Sequence, residues 1–144
     1  MERWELEARE AIRETIARYA HHADSGRFVE LADLFAPDGV LEVRGEPPLA
    51  GRDAIREFLT GVGVSLANAS EVPIIRHHVS NVTIELIGPD EARAECYFLA
   101  ITEHGLDHWG RYRDHFARVD GRWLFEHRRA RTDGTTPGGW AATR

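Results

Sequence analysis

The stretch RHHVSNVTIEL, residues 76–86, sets two imidazoles side by side where a strand-like run begins. Side chains alternate faces along a strand, so a regular strand groups His77 with Val79 and Asn81, and His78 with Ser80, Val82 and Ile84. One imidazole then looks into an interior while its neighbour looks away. The adjacent pair is poorly suited to a single metal ion, because both rings would have to turn to the same side. The remaining inventory is narrow: all 18 basic residues are arginine. Schiff-base chemistry, lysine-bound pyridoxal phosphate and the lysine of a phosphate-binding P-loop are therefore excluded. There is no Gly-rich phosphate fingerprint and no Cys/His zinc spacing, which leaves carboxylates, histidines, tyrosines and arginines to do any chemistry. His104 and His108 flank a hairpin turn as the one pair that could meet a metal by accident. No metal site and no cofactor are expected.

A net charge of −6 and a pI near 5.7 argue against nucleic acid or an anionic membrane as the main partner. No apolar run reaches bilayer length, and the start MERWELEAREAIRE is charged where a secretion signal needs apolar residues, so a cytoplasmic location is expected. The single cysteine, Cys96 in AECYFLA, reads as a buried, inert thiol.

These groups must be carried by a block of helices followed by a block of strands. Trp4, Ala8, Ile12, Ile16, Tyr19 and Ala23 form the stripe of an amphipathic helix ending near Asp24-Ser25-Gly26. A short second helix has Phe28, Leu31, Ala32 and Phe35 on one side and stops at Pro37-Asp38-Gly39. A strand at 40–44, a turn-rich GEPPLAG and a third helix at about 52–60 follow, then a loop-like GVGVSLANASEVP. Strands at roughly 74–87, 91–103, 108–119 and 122–131 are separated by plausible hairpin turns, and the tail from 132 to 144 has no periodic signal. Helices first and an antiparallel meander afterward imply an α+β fold, with the helices on one face of a curved sheet. One domain over 1–131 is expected.

Four motifs in order, IARYAHHADSGRFVELADLFAPDGVLEV, GRDAIREFL, RHHVSNVTIE and GRYRDHFARVDGRWLFEHRR, resemble the SnoaL-like branch of the NTF2-like superfamily. The resemblance implies a cone-shaped α+β barrel with three N-terminal helices packed on a curved, mostly antiparallel sheet, a deep pocket at the open end, and homodimers or larger homo-oligomers. Scytalone dehydratase and hexachlorocyclohexane dehydrochlorinase relatives pair an aspartate after the first helix with a histidine at the start of a strand, making a general base. The matching residues here are Asp24 and His77, with His78 in its place if a bulge shifts the register. The implied activity is cofactor-independent proton abstraction by a lyase or isomerase of the dehydratase, isomerase or cyclase type. Its substrate would be a hydrophobic cyclic molecule such as a polyketide, terpenoid or steroid.

Two further readings stay open. Against ketosteroid isomerase relatives, Tyr19 falls on the oxyanion-donating tyrosine, Asp114 near the assisting acid and Glu42 on the base. Alternatively, the chain is a non-catalytic small-molecule binding protein that keeps the pocket alone. Tyr19 is a catalytic candidate in either enzymatic reading. Phe28, Glu42, Asn81, Phe98, Trp109, Tyr112 and Asp114 are candidates for the substrate-binding wall.

Overall fold

The apolar stripe of the N-terminus does form a helix. In the computed structural model, which describes residues 1–143, α1 spans Arg3–Ser25 and buries Ala8, Ile12, Thr15, Ile16, Tyr19 and Ala20. Gly26 ends it in the left-handed region (φ 70°), with its N–H on the Ala23 carbonyl and that of Arg27 on the His22 carbonyl. That stop matters for function, because it fixes Asp24 in the last turn, facing the sheet.

α2 (Phe28–Ala32) is shorter than expected: Phe35 opens β1 (Phe35–Val43). The strand kinks through Pro37-Asp38-Gly39, its register against the neighbouring strand slips between Phe35 and Val40, and a Cβ at Gly39 would come within 2.9 Å of the Ala36 and Phe125 carbonyls. β2 (Leu49–Ala50) pairs with β1 inside the turn-rich segment. α3 runs from Arg52 to Ala67, well past the expected end at residue 60. Two glycines in that extension each cost about 1 kcal/mol of helix propensity. Packing compensates at Gly63, where the ring of Phe28 lies so close that a Cβ would sit 2.8 Å from it.

The meander follows as β3 (Arg76–Gly88), β4 (Glu91–Thr102), β5 (Gly105–Val119) and β6 (Arg122–Thr135). Together they form one curved, unclosed six-stranded sheet in the order β2-β1-β6-β5-β4-β3, antiparallel except where β1 runs parallel to β6. α1 packs against β3 at one edge and β6 further in, so the sheet bends around it. β6 continues four residues beyond its expected end; Asp133 there bridges Arg111 and Arg131, each at 3.2 Å. The tail then closes with a short 3-10 turn at Ala141–Thr143. Among the described residues no helix is long and apolar enough to cross a membrane.

A buried ion pair lies at the centre of the core. Arg128 is fully buried and its Nε lies 3.0 Å from Asp114 Oδ1. Its guanidinium carbon sits 3.5 Å from the centre of the Tyr112 ring, 4.1 Å from that of Tyr19 and 4.6 Å from that of Phe125. Burial pushes the Asp114 carboxyl up to about 6, against the attraction of the Arg128 charge. Cys96 is buried beside them, and burial raises its thiol to about 11, consistent with an inert side chain.

Candidate functional site

His77 enters the interior at the start of β3, the edge strand of the sheet. On an edge, backbone N–H groups facing away from the neighbouring strand need another acceptor. Asp24 supplies it: the His77 backbone N–H donates to Oδ2 at 3.0 Å, while Nδ1 of the ring lies 2.6 Å from Oδ1. One carboxylate thus holds both the main chain and the imidazole. Because an ionised carboxylate can only accept, the ring proton resides on Nδ1 and Nε2 is left bare and basic. Both side chains are largely buried, at 21% and 11% exposure.

The strand reaches this geometry through a bulge. Asn81 adopts φ 55°, and the register against β4 slips between Ser80 and Thr83. Past the bulge the facing alternation is reset, so His77 and Val79 share the inner side with Val82, Ile84 and Leu86. His78 is exposed on the other face, and so is the bulged Asn81.

Facing His77 are Phe98 of β4, with ring centroids 6.1 Å apart, and His108 of β5 at 6.0 Å. Phe98 is stacked on Tyr112 at 4.7 Å, and Tyr112 meets Tyr19 edge-on at 5.8 Å. Gly110 makes room for this stack, since a Cβ there would overlap the Arg131 carbonyl oxygen and lie 2.7 Å from the Phe98 ring. Burial raises the pKa of both Tyr19 and Tyr112, so their hydroxyls stay protonated and available as donors.

His108 has a carboxylate of its own. Its Nδ1 lies 2.8 Å from Oδ2 of Asp107, and both residues are buried. Two imidazoles, each tied through Nδ1 to an aspartate, therefore meet almost at right angles, with an interplanar angle of 79°. A groove of about 670 Å³ is lined by Asp107, Leu106, Glu71 and Trp140, but not by His77 or Asp24. Asp107 and Trp140 line that groove and also touch His108, so the groove adjoins the paired rings.

A profile of the SnoaL-like domain family matches residues 4–129. The chain belongs to the SnoaL-like family. Among solved structures, a scytalone-dehydratase-like protein from Novosphingobium aromaticivorans is 31% identical, with a TM-score of 0.80 over 94% of this chain and 91% of that one. An NTF2-like protein of cystatin-like fold from the same organism is 30% identical, with a TM-score of 0.77 over 96% and 88%. LinA, at 20% identity and a TM-score of 0.79 over 94% and 93%, shares the fold. No curated protein matches the chain closely enough to count as a relative.

Within this SnoaL-like chain the sequence-derived candidates separate into two groups. Asp24, His77, Phe98, Tyr112 and Tyr19 come together on the inner side, and Phe28 packs half-buried against α3 nearby. Glu42 does not join them. It projects from the outer side of β1, where its Oε2 takes hydrogen bonds from His127 at 2.8 Å and Arg129 at 2.9 Å; these bonds hold its pKa below the usual value. Trp109 is also on the outer face, lying over Gly134 where a side chain would collide with it. Asn81 is exposed at the bulge, and Asp114 lies under the tyrosines bound to Arg128, an ion-pair partner rather than part of the wall. His104 and His108 part company: the first is exposed near Glu71 and Glu103, the second turned inward.

Sequence reasoning missed His108, Asp107 and Arg128 as parts of the interior. For His108 the signal was present, since Tyr112, Gly110 and His108 are spaced by two and must share a face in an unbroken strand.

Proposed function

We propose that this SnoaL-like protein is an acid–base enzyme that removes a proton from carbon in a hydrophobic ring compound, as a lyase or isomerase. The observation that carries the reading is the double hold of Asp24 on His77, through ring and backbone at 2.6 and 3.0 Å. A carboxylate so placed fixes the tautomer and stabilises the imidazolium formed when Nε2 takes a proton. His108, tied through Nδ1 to Asp107 with its ring centroid 6.0 Å from that of His77, accepts at its free Nε2 the proton that His77 has collected and returns it to a departing hydroxyl or to an enolate carbon, which leaves both imidazoles neutral again. Tyr112 or Tyr19 donates to the developing oxyanion. The substrate class, a polyketide-, terpenoid- or steroid-like ketone or hydroxyketone, rests on kinship and on the Phe98 ring beside His77, itself stacked on Tyr112. The ketosteroid-isomerase-like arrangement has little support, because its base, Glu42, is bonded to His127 and Arg129 on the outer face.

The test is solvent deuterium incorporation into a panel of ring ketones and hydroxyketones, read by mass spectrometry. Exchange at carbon beside the carbonyl is expected with the parent and not with a His77→Gln variant. Ligands that bind both proteins equally, without exchange in either, would leave a binding protein instead.

The outer sheet face carries Tyr97, Leu99 and Trp109 exposed by 53%, 41% and 37%, with Leu99 and Trp109 directly opposite each other across β4 and β5. We propose that a second copy covers this patch in a homodimer. Leu99→Glu is expected to halve the mass seen in sedimentation; an unchanged mass in parent and variant would remove the patch from the interface.

A further inference from the structure

Asp107 and His108 are sequence neighbours, and neighbours on a regular strand point to opposite faces. Here they touch because the register between β4 and β5 slips: Ala100 pairs with His108 and Ile101 with Leu106, which leaves Asp107 opposite no residue. The extra residue tucks its carboxylate under the C-terminal tail. Oδ1 accepts the backbone N–H of Trp140 at 2.7 Å, and Oδ2 accepts that of Ala141 at 3.2 Å alongside the His108 ring at 2.8 Å. The Asp107 carbonyl in turn accepts the Thr136 N–H at 2.8 Å. Gly139 makes the close approach possible, since a Cβ there would lie 2.7 Å from Asp107 Oδ1. The Trp140 ring then rests against His108, with centroids 6.4 Å apart.

We propose that Asp107 is a positioning residue for His108, and that the C-terminal tail, docked on Asp107 through the Trp140 and Ala141 amides, keeps the pair assembled. The inference rests on the role given to His108 under the proposed function. Among the described residues the tail contributes no titrating group to His108; it contributes two donors that hold the carboxylate as an acceptor for the ring. Burial alone would push Asp107 up, but the hydrogen bonds from His108, Ala141 and Trp140 outweigh it and leave the carboxyl below its ordinary value. Among the described residues, the charged and titratable groups facing His108 are then Asp107 beside it on β5 and His77 across from it on β3, with Asp24 of α1 behind His77. A released tail removes two of the three donors, frees Asp107 to rotate toward the groove, and leaves His108 with no fixed tautomer. Arrival and departure of the tail would thereby couple opening of the site to readiness of its second imidazole.

The experiment uses full-length ¹⁵N-labelled protein and long-range proton–nitrogen spectra of the imidazoles, together with amide exchange at Trp140 and Ala141. In the parent, His108 is expected as a single Nδ1–H tautomer with both amides protected. Gly139→Val pushes the tail away and Asp107→Ala removes the acceptor. In each, His108 should become a tautomer mixture and the two amides should exchange about tenfold faster or more. His77 is the internal control: with Asp24 intact it keeps its Nδ1–H signal, reporting a folded site. Trp140→Ala retains the backbone donor and should leave His108 as in the parent; a tautomer mixture there would assign the hold to the indole ring and overturn the proposal. Retention of a single Nδ1–H tautomer in either of the other two variants overturns it as well, as does retained amide protection in Asp107→Ala. Because these spectra need no substrate, a parent that exchanges no carbon acid sinks the functional reading without touching this one.

Discussion

His77→Ala is expected to lower turnover by about 10²–10⁴-fold, the usual contribution of a positioned general base, while substrate affinity changes little. The reason is geometric: Nε2 of His77 is the basic atom left free when Nδ1 is committed to Asp24 at 2.6 Å. Asp24→Asn should be damaging in a different way. The amide can still touch the ring, but it offers no charge to the imidazolium and can favour the wrong tautomer. It also weakens the hold on the His77 backbone N–H, now on Oδ2 at 3.0 Å, so a modest loss of thermal stability should accompany the loss of rate. Glu42→Gln, on the outer face, should leave turnover near that of the parent. Single-turnover rates of the three variants on any compound that exchanges deuterium check this; a large loss at Glu42 with normal rates at His77 would reverse the assignment.

Much of this site is legible in the amino-acid sequence, and the parts that are not have identifiable causes. The helical stripe of α1 and the turn residues between strands depend on local periodicity and backbone chemistry, so the α+β order and the placing of Asp24 at a helix end follow from sequence. The facing of His77 does not follow from period-two counting alone. The bulge at Asn81 resets the alternation, and a single residue in the left-handed region leaves no mark on hydrophobic pattern beyond an asparagine able to adopt it. Trp109 and Tyr112 are both candidates for the pocket wall by residue type, although residues three apart on a strand cannot share a face; parity alone favours Tyr112, Gly110 and His108. Glu42 shows the same logic, because the fully buried Leu41 beside it sends it outward. The C-terminal half of α3 is a tertiary effect. Its glycines argue against helix locally, and the ring of Phe28 packed on Gly63 supplies what propensity lacks.

Arg128 is hidden for a related reason: in EHRRAR three arginines look alike, and only the fold decides which one is taken out of water. Its removal should be the most costly single change to stability. Arg128→Met is expected to destabilise by about 3–5 kcal/mol, because it leaves Asp114 buried without its counter-ion. Asp114→Asn should cost less, since the guanidinium that remains is still faced by the Tyr112, Tyr19 and Phe125 rings within 4.6 Å. Combining Arg128→Met with Asp114→Leu should recover most of the loss, as buried pairs replaced whole by apolar groups commonly do. The pH dependence has an unusual sign. With a folded pKa of about 6, above the roughly 3.9 of an unfolded aspartate, Asp114 binds its proton more tightly in the native state. Its stabilising contribution is therefore complete below about pH 4 and is lost as pH rises through about 6. Chemical denaturation of parent and Asp114→Asn between those values should show the parent gaining on the variant as the solution is acidified. A gain in the opposite direction would mean that attraction to Arg128 outweighs the cost of burial, and that the carboxylate is held ionised in the core.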